Sequence, residues 1–405
     1  MQETEDTTVP PGLLRPWHFV LAFGIVSLLA DMVYEGARSI IGPYLATLGA
    51  SATVVGLVAG AGEFIGYGLR VVSGYAVRRT RHYWTWTILG YALTVLSVPL
   101  IGVTGMIAPA LLLYGTERLG KAIRSPAKDT LLSYASARTG RGSAFGVHQA
   151  LDATGAMLGP LLLAAVLGWR DGDYRLAFGV LVVPGVLVLV VLAWLRLRVP
   201  DPGDYEPSAT LPAAPPAGVM AGAARAVLPY RFWQYAGAIA VLSCGIASFP
   251  LLAFHAQTTG LLSDPQIPVL FAVAMFVDGA SSLAMGRLYD RHGALMLLAV
   301  PVAASFAALA FADHVLWVWV GVGIWGVVNG VLDSTVKAVV TELVPGDARS
   351  VAFGWLAFVR GFGLLVAGGL LGVAYDHSRA AVVVLILVAN AIALVALASV
   401  LRRLR

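Results

Sequence analysis

The sequence is short of charge and nearly devoid of sulfur chemistry. Of its 405 residues only 12% are Asp, Glu, Lys or Arg, against about 25% in an average soluble domain, and 59% are hydrophobic. A single cysteine, Cys244, excludes an intramolecular disulfide and any metal site built from several thiolates. The seven histidines are scattered, no His-Glu-x-x-His occurs, and no phosphate-cradling loop ending in Gly-Lys-Ser or Gly-Lys-Thr is present. A membrane-embedded enzyme and an ATP-driven pump thus lack their usual signatures, and neither a metal nor a cofactor is expected. The first residues, MQETEDTTVPPG, lack the basic start and small-residue cleavage site of a signal peptide, so the first helix is expected to remain in the mature protein. The net charge of +5 does not point to nucleic acid, because the basic residues sit mainly in short loops beside apolar runs.

What the sequence does have is apolar runs of about 20 residues, the length of a bilayer span. They fall at 17–47, 52–77, 84–104, 108–131, 142–168, 175–198, 230–257, 267–289, 294–312, 315–341, 349–374 and 378–401. The expected fold is an all-α membrane protein with twelve transmembrane helices. Alternate loops differ in charge: one side carries Arg15, Arg78, Arg79, Arg81, Arg138, Arg141, Arg196, Arg198, Arg225, Arg231, Arg287, Arg291, Arg349, Arg402, Arg403 and Arg405, the other Arg170, Arg175 and Arg379. By the positive-inside rule both termini are expected in the cytoplasm, with the chain in the inner (plasma) membrane. Residues 199–229, rich in proline and alanine, read as a cytoplasmic linker. The expected organisation is a tail (1–16), a six-helix bundle (17–198), the linker, a second six-helix bundle (230–401) and a short C-terminus (402–405).

The halves resemble each other. "SAFG" at 143–146 matches "VAFG" at 351–354, and the same offset superposes Arg141 on Arg349 and Gly155 on Gly363. "GRLYDRHG" at 286–293, after the eighth span, resembles the cytoplasmic loop motif of the major facilitator superfamily. The first-half copy, "GYAVRRTR" at 74–81, departs from it, with Arg78 at the acidic position and Arg81 at the second glycine. Arg118 matches the fourth-helix arginine of that family, with Lys121 and Ala122 where Gln and Gly are usual. "GAMLGP" at 155–160 resembles its fifth-helix antiporter motif, although Leu163 replaces a later glycine. The resemblance implies two pseudo-symmetric bundles around a central cavity, a gate involving Gly286, Asp290 and Arg291, and a further conformational role for Gly155, Gly159 and Pro160.

Charges inside spans are costly and usually face a bundle interior or a water-filled cavity. Asp31, Glu35 and Arg38 fall within about 60° on the first helix, and Glu117, Lys121, Arg124 and Lys128 do so on the fourth. One reading of the first group is an internal ion pair of Arg38 with Glu35 or Asp31 that fixes helix register. For Lys128 and Asp129 the alternative is snorkelling to the interface. Glu63, Arg70, His148, Asp152, Asp278, Asp333, Lys337 and Arg360 lie in other spans. Arg360 occupies the repeat position of Asp152, and Lys337 that of Asp129, which suggests ion pairs between the halves that form in one state and break in the other; Arg360 is accordingly counted with the gate.

The residues themselves suit a carrier. Arg38, Arg118, Lys121, Arg124 and Lys337 would attract an anionic or zwitterionic solute, with Tyr34 as an amphipathic wall. A carboxylate that exchanges a cationic partner for an apolar wall can take up and release a proton, and Asp31 and Glu35, then Asp152 and Asp278, are the candidates. The expected function is secondary transport of a small organic solute, coupled to protons and favouring efflux by antiport. The alternative is a proton-linked importer of a small organic anion; a membrane enzyme or a channel ranks below both. The expected partners are solute, protons and the lipid bilayer, with the chain acting as a monomer.

Overall fold

The computed structural model of the chain describes residues 14–139, 141–205, 228–345 and 348–402. Most of the expected linker, the tail before Leu14 and residues 403–405 lie outside the described residues. Within a bilayer each backbone amide must find its partner inside its own segment, so apolar runs of this length fold as helices. They form α1 (Pro16–Thr47), α2 (Ala52–Thr80), α3 (Tyr83–Ile101), α4 (Ile107–Thr139), α5 (Arg141–Trp169) and α6 (Tyr174–Arg198, interrupted at Leu181). The second half forms α7 (Tyr230–Thr258), α8 (Gln266–His292), α9 (Gly293–Phe311), α10 (Val315–Leu343), α11 (Arg349–His377) and α12 (Arg379–Leu401). Eleven are long and apolar enough to cross a membrane, and α4 falls short only because charges recur along its length.

The expected spans coincide with these helices, with two local differences. α7 is broken between Cys244 and Phe249, where Pro250 opens the second segment. The freed carbonyls are satisfied from within the bundle: Trp325 Nε1 donates to Ala247 (2.8 Å) and Asn390 Nδ2 to Gly245 (3.0 Å). α4, by contrast, runs through Pro126 without a break. Proline cannot donate to the carbonyl four residues back, and that carbonyl, on Ala122, instead accepts from Ser73 Oγ of α2 at 2.7 Å.

Glycines let the helices touch backbone to backbone. A Cβ at Gly155 of α5 would collide with the Leu28 carbonyl of α1, and one at Gly159 with the Met32 carbonyl. At the repeat position, a Cβ on Gly363 of α11 would lie 2.6 Å from the Ala240 carbonyl of α7. The same residue therefore makes the same contact in each bundle, α5 on α1 and α11 on α7, and the internal repeat is structural.

Between the bundles, Gly56 and Gly60 of α2 meet Gly368 and Leu364 of α11, and Phe64 packs edge-on against Phe358 (centroids 5.4 Å apart). Gly42 of α1 abuts Pro250 of α7. Among the described residues, hydrogen bonds between the bundles gather at one face, opposite the terminal face where α1 begins and α12 ends. There the Asp376 carboxylate of α11 accepts from the Ala52 and Thr53 amides (both 3.0 Å) and Thr53 Oγ1 (2.5 Å) at the start of α2. Tyr174 Oη donates to Asp264 (2.8 Å), which also accepts from Gln257. Asp333, in the middle of α10, is 53% exposed at its side chain. A charge at that depth avoids lipid, so its exposure marks an opening between the bundles toward the terminal face.

The packing predicts opposite effects for two identical substitutions. Gly155→Ala should lower stability in detergent by about 1–3 kcal/mol through overpacking. Gly237→Ala, where a Cβ would meet nothing within 4 Å, should be neutral or stabilising by up to about 1 kcal/mol. Thermal unfolding of the purified variants checks both.

Candidate functional site

The charges of α1, α2 and α4 meet in one network. Arg38 contacts Glu35 one turn back (Nη1–Oε2 3.5 Å) and Glu63 of α2 (Nη2–Oε1 3.0 Å). The same Glu63 oxygen lies 3.5 Å from Nη1 of Arg118 on α4. Arg118, fully enclosed, also sits 2.9 Å from the Glu117 carboxylate, a contact that is ionic rather than a hydrogen bond in its geometry. Lys121 Nζ lies 3.6 Å from Glu35 Oε1. A continuous chain of alternating sign, Lys121, Glu35, Arg38, Glu63, Arg118 and Glu117, thus ties three helices together. Gly62 makes room for it, since a Cβ there would lie 3.0 Å from Arg118 Cγ.

Beside the chain stand two groups without an ionic partner among the described residues. Arg124 is buried, donates to Thr94 Oγ1 (2.8 Å) and rests on the rings of Tyr91 (4.5 Å) and Tyr34 (5.0 Å). Lys121 occupies the same Tyr34 ring at 4.2 Å. Asp31 is buried and lies in the field of Asp152, Lys121 and Glu35, with no cation within 4 Å. Asp152 of α5 accepts a hydrogen bond from Ser27 of α1. Asp31 also interacts with the Tyr34 hydroxyl. An excess cation on an aromatic wall can take an anionic group, and a buried carboxylate outside any ion pair can exchange a proton.

The C-terminal bundle contributes less. Arg360 of α11 pairs with Asp333 of α10 (2.7 Å) and places its guanidinium 5.3 Å from the Tyr67 ring centroid of α2. Asp278 of α8 lies in the field of Asp333, Glu35, Arg38 and Arg360, facing the network across the bundle boundary. Lys337 is exposed and joins no ion pair among the described residues. The expected pairs between halves are also absent among the described residues. Every ion pair there, including Arg379 with Asp313, stays within one bundle. The reason is proximity: Arg360 has Asp333 on the adjacent helix, Asp152 has Ser27 and Lys128, and what crosses to the partner bundle is the face of Tyr67.

Comparison with known proteins agrees with this architecture. The profile of the Major Facilitator Superfamily matches residues 23–368. The chain belongs to this superfamily. An uncharacterised protein of Mycobacterium tuberculosis is 45% identical over 399 residues, covering 95% of this chain and 94% of that one. An uncharacterised MFS-type transporter of Methanocaldococcus jannaschii is 24% identical over 364 residues, 87% of each chain. Among solved structures, a mutant of the nucleoside transporter NupG superposes with a TM-score of 0.77 at 11% identity, covering 95% of this chain and 99% of its own. A bacterial homologue of the human lysosomal transporter Spinster gives 0.72 at 16% identity, with 98% and 99% covered. These likenesses establish the fold, and membership of the superfamily makes the chain a multi-pass membrane transporter rather than an enzyme.

Of the superfamily's loop motif, Gly286 and Asp290 lie outside the residues whose side chains are described, and Arg291 is exposed at the end of α8. Gly155 and Gly159 of "GAMLGP" face the α1 backbone at Leu28, about one turn before Asp31, and at Met32, the residue after it, with Pro160 buried beside them. Glu63 was visible in the sequence as an acid within a span, but its place between two arginines was not. Glu117 and Arg118 are sequence neighbours whose side chains diverge by about 100° on an ideal helix, which hid their contact. Thr94 and Tyr91 carried no signal at all.

Removing the shared carboxylate should therefore be costly. Glu63→Gln leaves Arg38 with Glu35 alone and Arg118 with Glu117 alone, takes one negative charge out of a buried network and should destabilise by about 3–5 kcal/mol. Asp333→Asn, which breaks a half-exposed pair, should cost about 1 kcal/mol or less. Comparative thermal unfolding in one detergent separates the two; equal losses contradict the hub role of Glu63.

Proposed function

We propose that the chain is a proton-coupled secondary transporter of a small organic solute, with the α1–α2–α4 network as its coupling centre. The observation that carries this reading is the pair of groups beside a charge-balanced ion chain that join no ion pair among the described residues: Asp31 without a cation within 4 Å and Arg124 without a carboxylate. Protonation of Asp31 or Glu35 changes the charge facing Lys121 and Arg124, and a bound anionic group does the same in the opposite sense. Two ligands that compete through shared cations are thermodynamically linked, as coupled transport requires. Arg38, Arg118, Lys121, Arg124 and Tyr34 form the solute wall in this reading. Asp31, Glu35, Asp152 and Asp278 form the set that carries protons, and Arg360 on Tyr67 is the contact that changes as the bundles rock.

Efflux by antiport remains the leading direction, supported by the resemblance of "GAMLGP" to the antiporter motif. Proton-linked import of a small organic anion is the second reading, favoured by Arg124, a buried cation that joins no ion pair among the described residues. Solved neighbours named for nucleosides and peptides are consistent with a polar organic solute. The basic loops support cytoplasmic termini in the inner membrane. The opening toward the terminal face would then be inward, in a chain that works as a monomer among lipids.

The test uses purified protein in liposomes loaded with a pH-sensitive dye. Pools of organic anions, zwitterions and lipophilic cations are added in turn. The expected result is proton movement that needs both a solute pool and the protein and is abolished by Asp31→Asn or Glu35→Gln. Its direction relative to the solute gradient distinguishes antiport from symport. Solute movement that leaves the internal pH unchanged would sink the coupling.

A further inference from the structure

Between the network and the terminal face, α1, α4 and α5 enclose a second polar cluster that the ion chain does not use. Lys128 Nζ of α4 lies 3.2 Å from His148 Nε2 of α5. A lysine ammonium has donors and no acceptor, so Nε2 must accept and the imidazole is neutral with its proton on Nδ1. That Nδ1–H is buried and has no hydrogen-bond partner. An orphaned buried donor is disfavoured by about 1–3 kcal/mol and calls for an explanation.

Its surroundings supply one. His148 faces Lys128 from α4, Asp152 one turn along its own helix, and from α1 the Phe23 ring, stacked at 6.2 Å. Asp152 is held by the Ser27 hydroxyl and lies in the fields of Lys128, His148 and Lys121, while Asp31 in turn feels Asp152. Both ends of the path differ in access: Lys128 and Asp152 are partly exposed, whereas His148 between them is 5% exposed and Asp31 beyond them 4%.

We propose that Lys128, His148 and Asp152 relay protons between the terminal face and Asp31, with His148 as the shuttle. This rests on the proton-coupled reading and adds the route. Lys128 passes a proton to Nε2, and Nδ1 releases its own to the Asp152 carboxylate. The imidazole stays neutral as the other tautomer, Lys128 becomes an amine, and Asp152 becomes a carboxylic acid. Lys128 is recharged from water at the terminal face, and Asp152 hands its proton to Asp31. A ring flip of His148 leaves the proton on Nε2 but turns that N–H toward Asp152 and the bare Nδ1 toward Lys128, so the next transfer runs through the same two partners with the nitrogens exchanged. The unsatisfied Nδ1–H is then the donor held ready for that second transfer.

The full chain in lipid nanodiscs, subjected to stopped-flow pH jumps in weak buffer with a pH dye, reports the rate and extent of proton uptake. Infrared difference spectra assign the uptake to carboxyl groups lost in Asp152→Asn and Asp31→Asn. His148→Gln, which keeps a polar side chain but cannot shuttle, should slow uptake by about 100-fold, the low end for a positioned proton-transfer group, with the final extent unchanged. His148→Ala should be equally slow, and free imidazole should restore its rate. Wild-type kinetics in both variants, or slow kinetics that imidazole leaves untouched, overturn the relay. A wild-type chain that takes up no proton at these carboxyl groups overturns the coupling reading itself, and the relay with it.

Discussion

One carboxylate oxygen between two guanidinium groups holds the N-terminal bundle in its arrangement. Glu63 reaches Arg38 on one side and Arg118 on the other, so α1, α2 and α4 are tied at mid-membrane by a group that belongs to the middle helix. Ions at that depth are tolerated only where opposite charges compensate them, and each remaining member is placed to do so: Glu35 between Arg38 and Lys121, Glu117 against Arg118. The ion chain is balanced in charge, three cations against three carboxylates, and its two neighbours stand outside any ion pair among the described residues. Arg124 is left to aromatic faces and a threonine, and Asp31 to the Tyr34 hydroxyl and the fields of Asp152, Lys121 and Glu35.

The helix backbone contacts serve the same arrangement. Bare Cα positions at Gly155 and Gly159 bring α5 onto α1 beside Asp31, and Gly363 does the equivalent for α11 on α7. The two bundles are thus built alike but charged differently. The ion chain lies wholly in the N-terminal bundle, whereas the C-terminal bundle offers Asp278, the Arg360–Asp333 pair and exposed Lys337. Hydrogen bonds between bundles gather at the face opposite the termini, around Asp376 and Asp264, and the middle of α10 is open on the other side. A carrier closed at one face and open at the other is the form that alternating access requires at either end of its cycle.

Much of the fold was legible because its signal is local. Span length, loop arginines and the offset between the halves are properties of contiguous sequence, and they placed all twelve helices. The charged faces of α1 and α4 followed from helical spacing in the same way. What spacing cannot give is the partner on another helix. Glu63 read as one acid among several until α2 was placed between Arg38 and Arg118, and the repeat-equivalent positions of Arg360 and Asp152 suggested a pair between halves where each has a nearer partner. The break in α7 was hidden because Trp325 and Asn390, distant in sequence, satisfy the carbonyls it frees. Lys337 was grouped with the central cations by its type and span; it is exposed on α10, one turn beyond Asp333.

In the proposed coupling, the charge state of the α1 carboxylates biases which face is open. Spin labels at positions 129 on α4 and 337 on α10, both exposed toward the terminal face, report the separation of the bundles by pulsed electron resonance in a Cys244→Ser background. Acidification should shift the distance distribution, and Asp31→Asn at neutral pH should shift it in the same direction. A distance that ignores both pH and the Asp31 substitution would contradict the account.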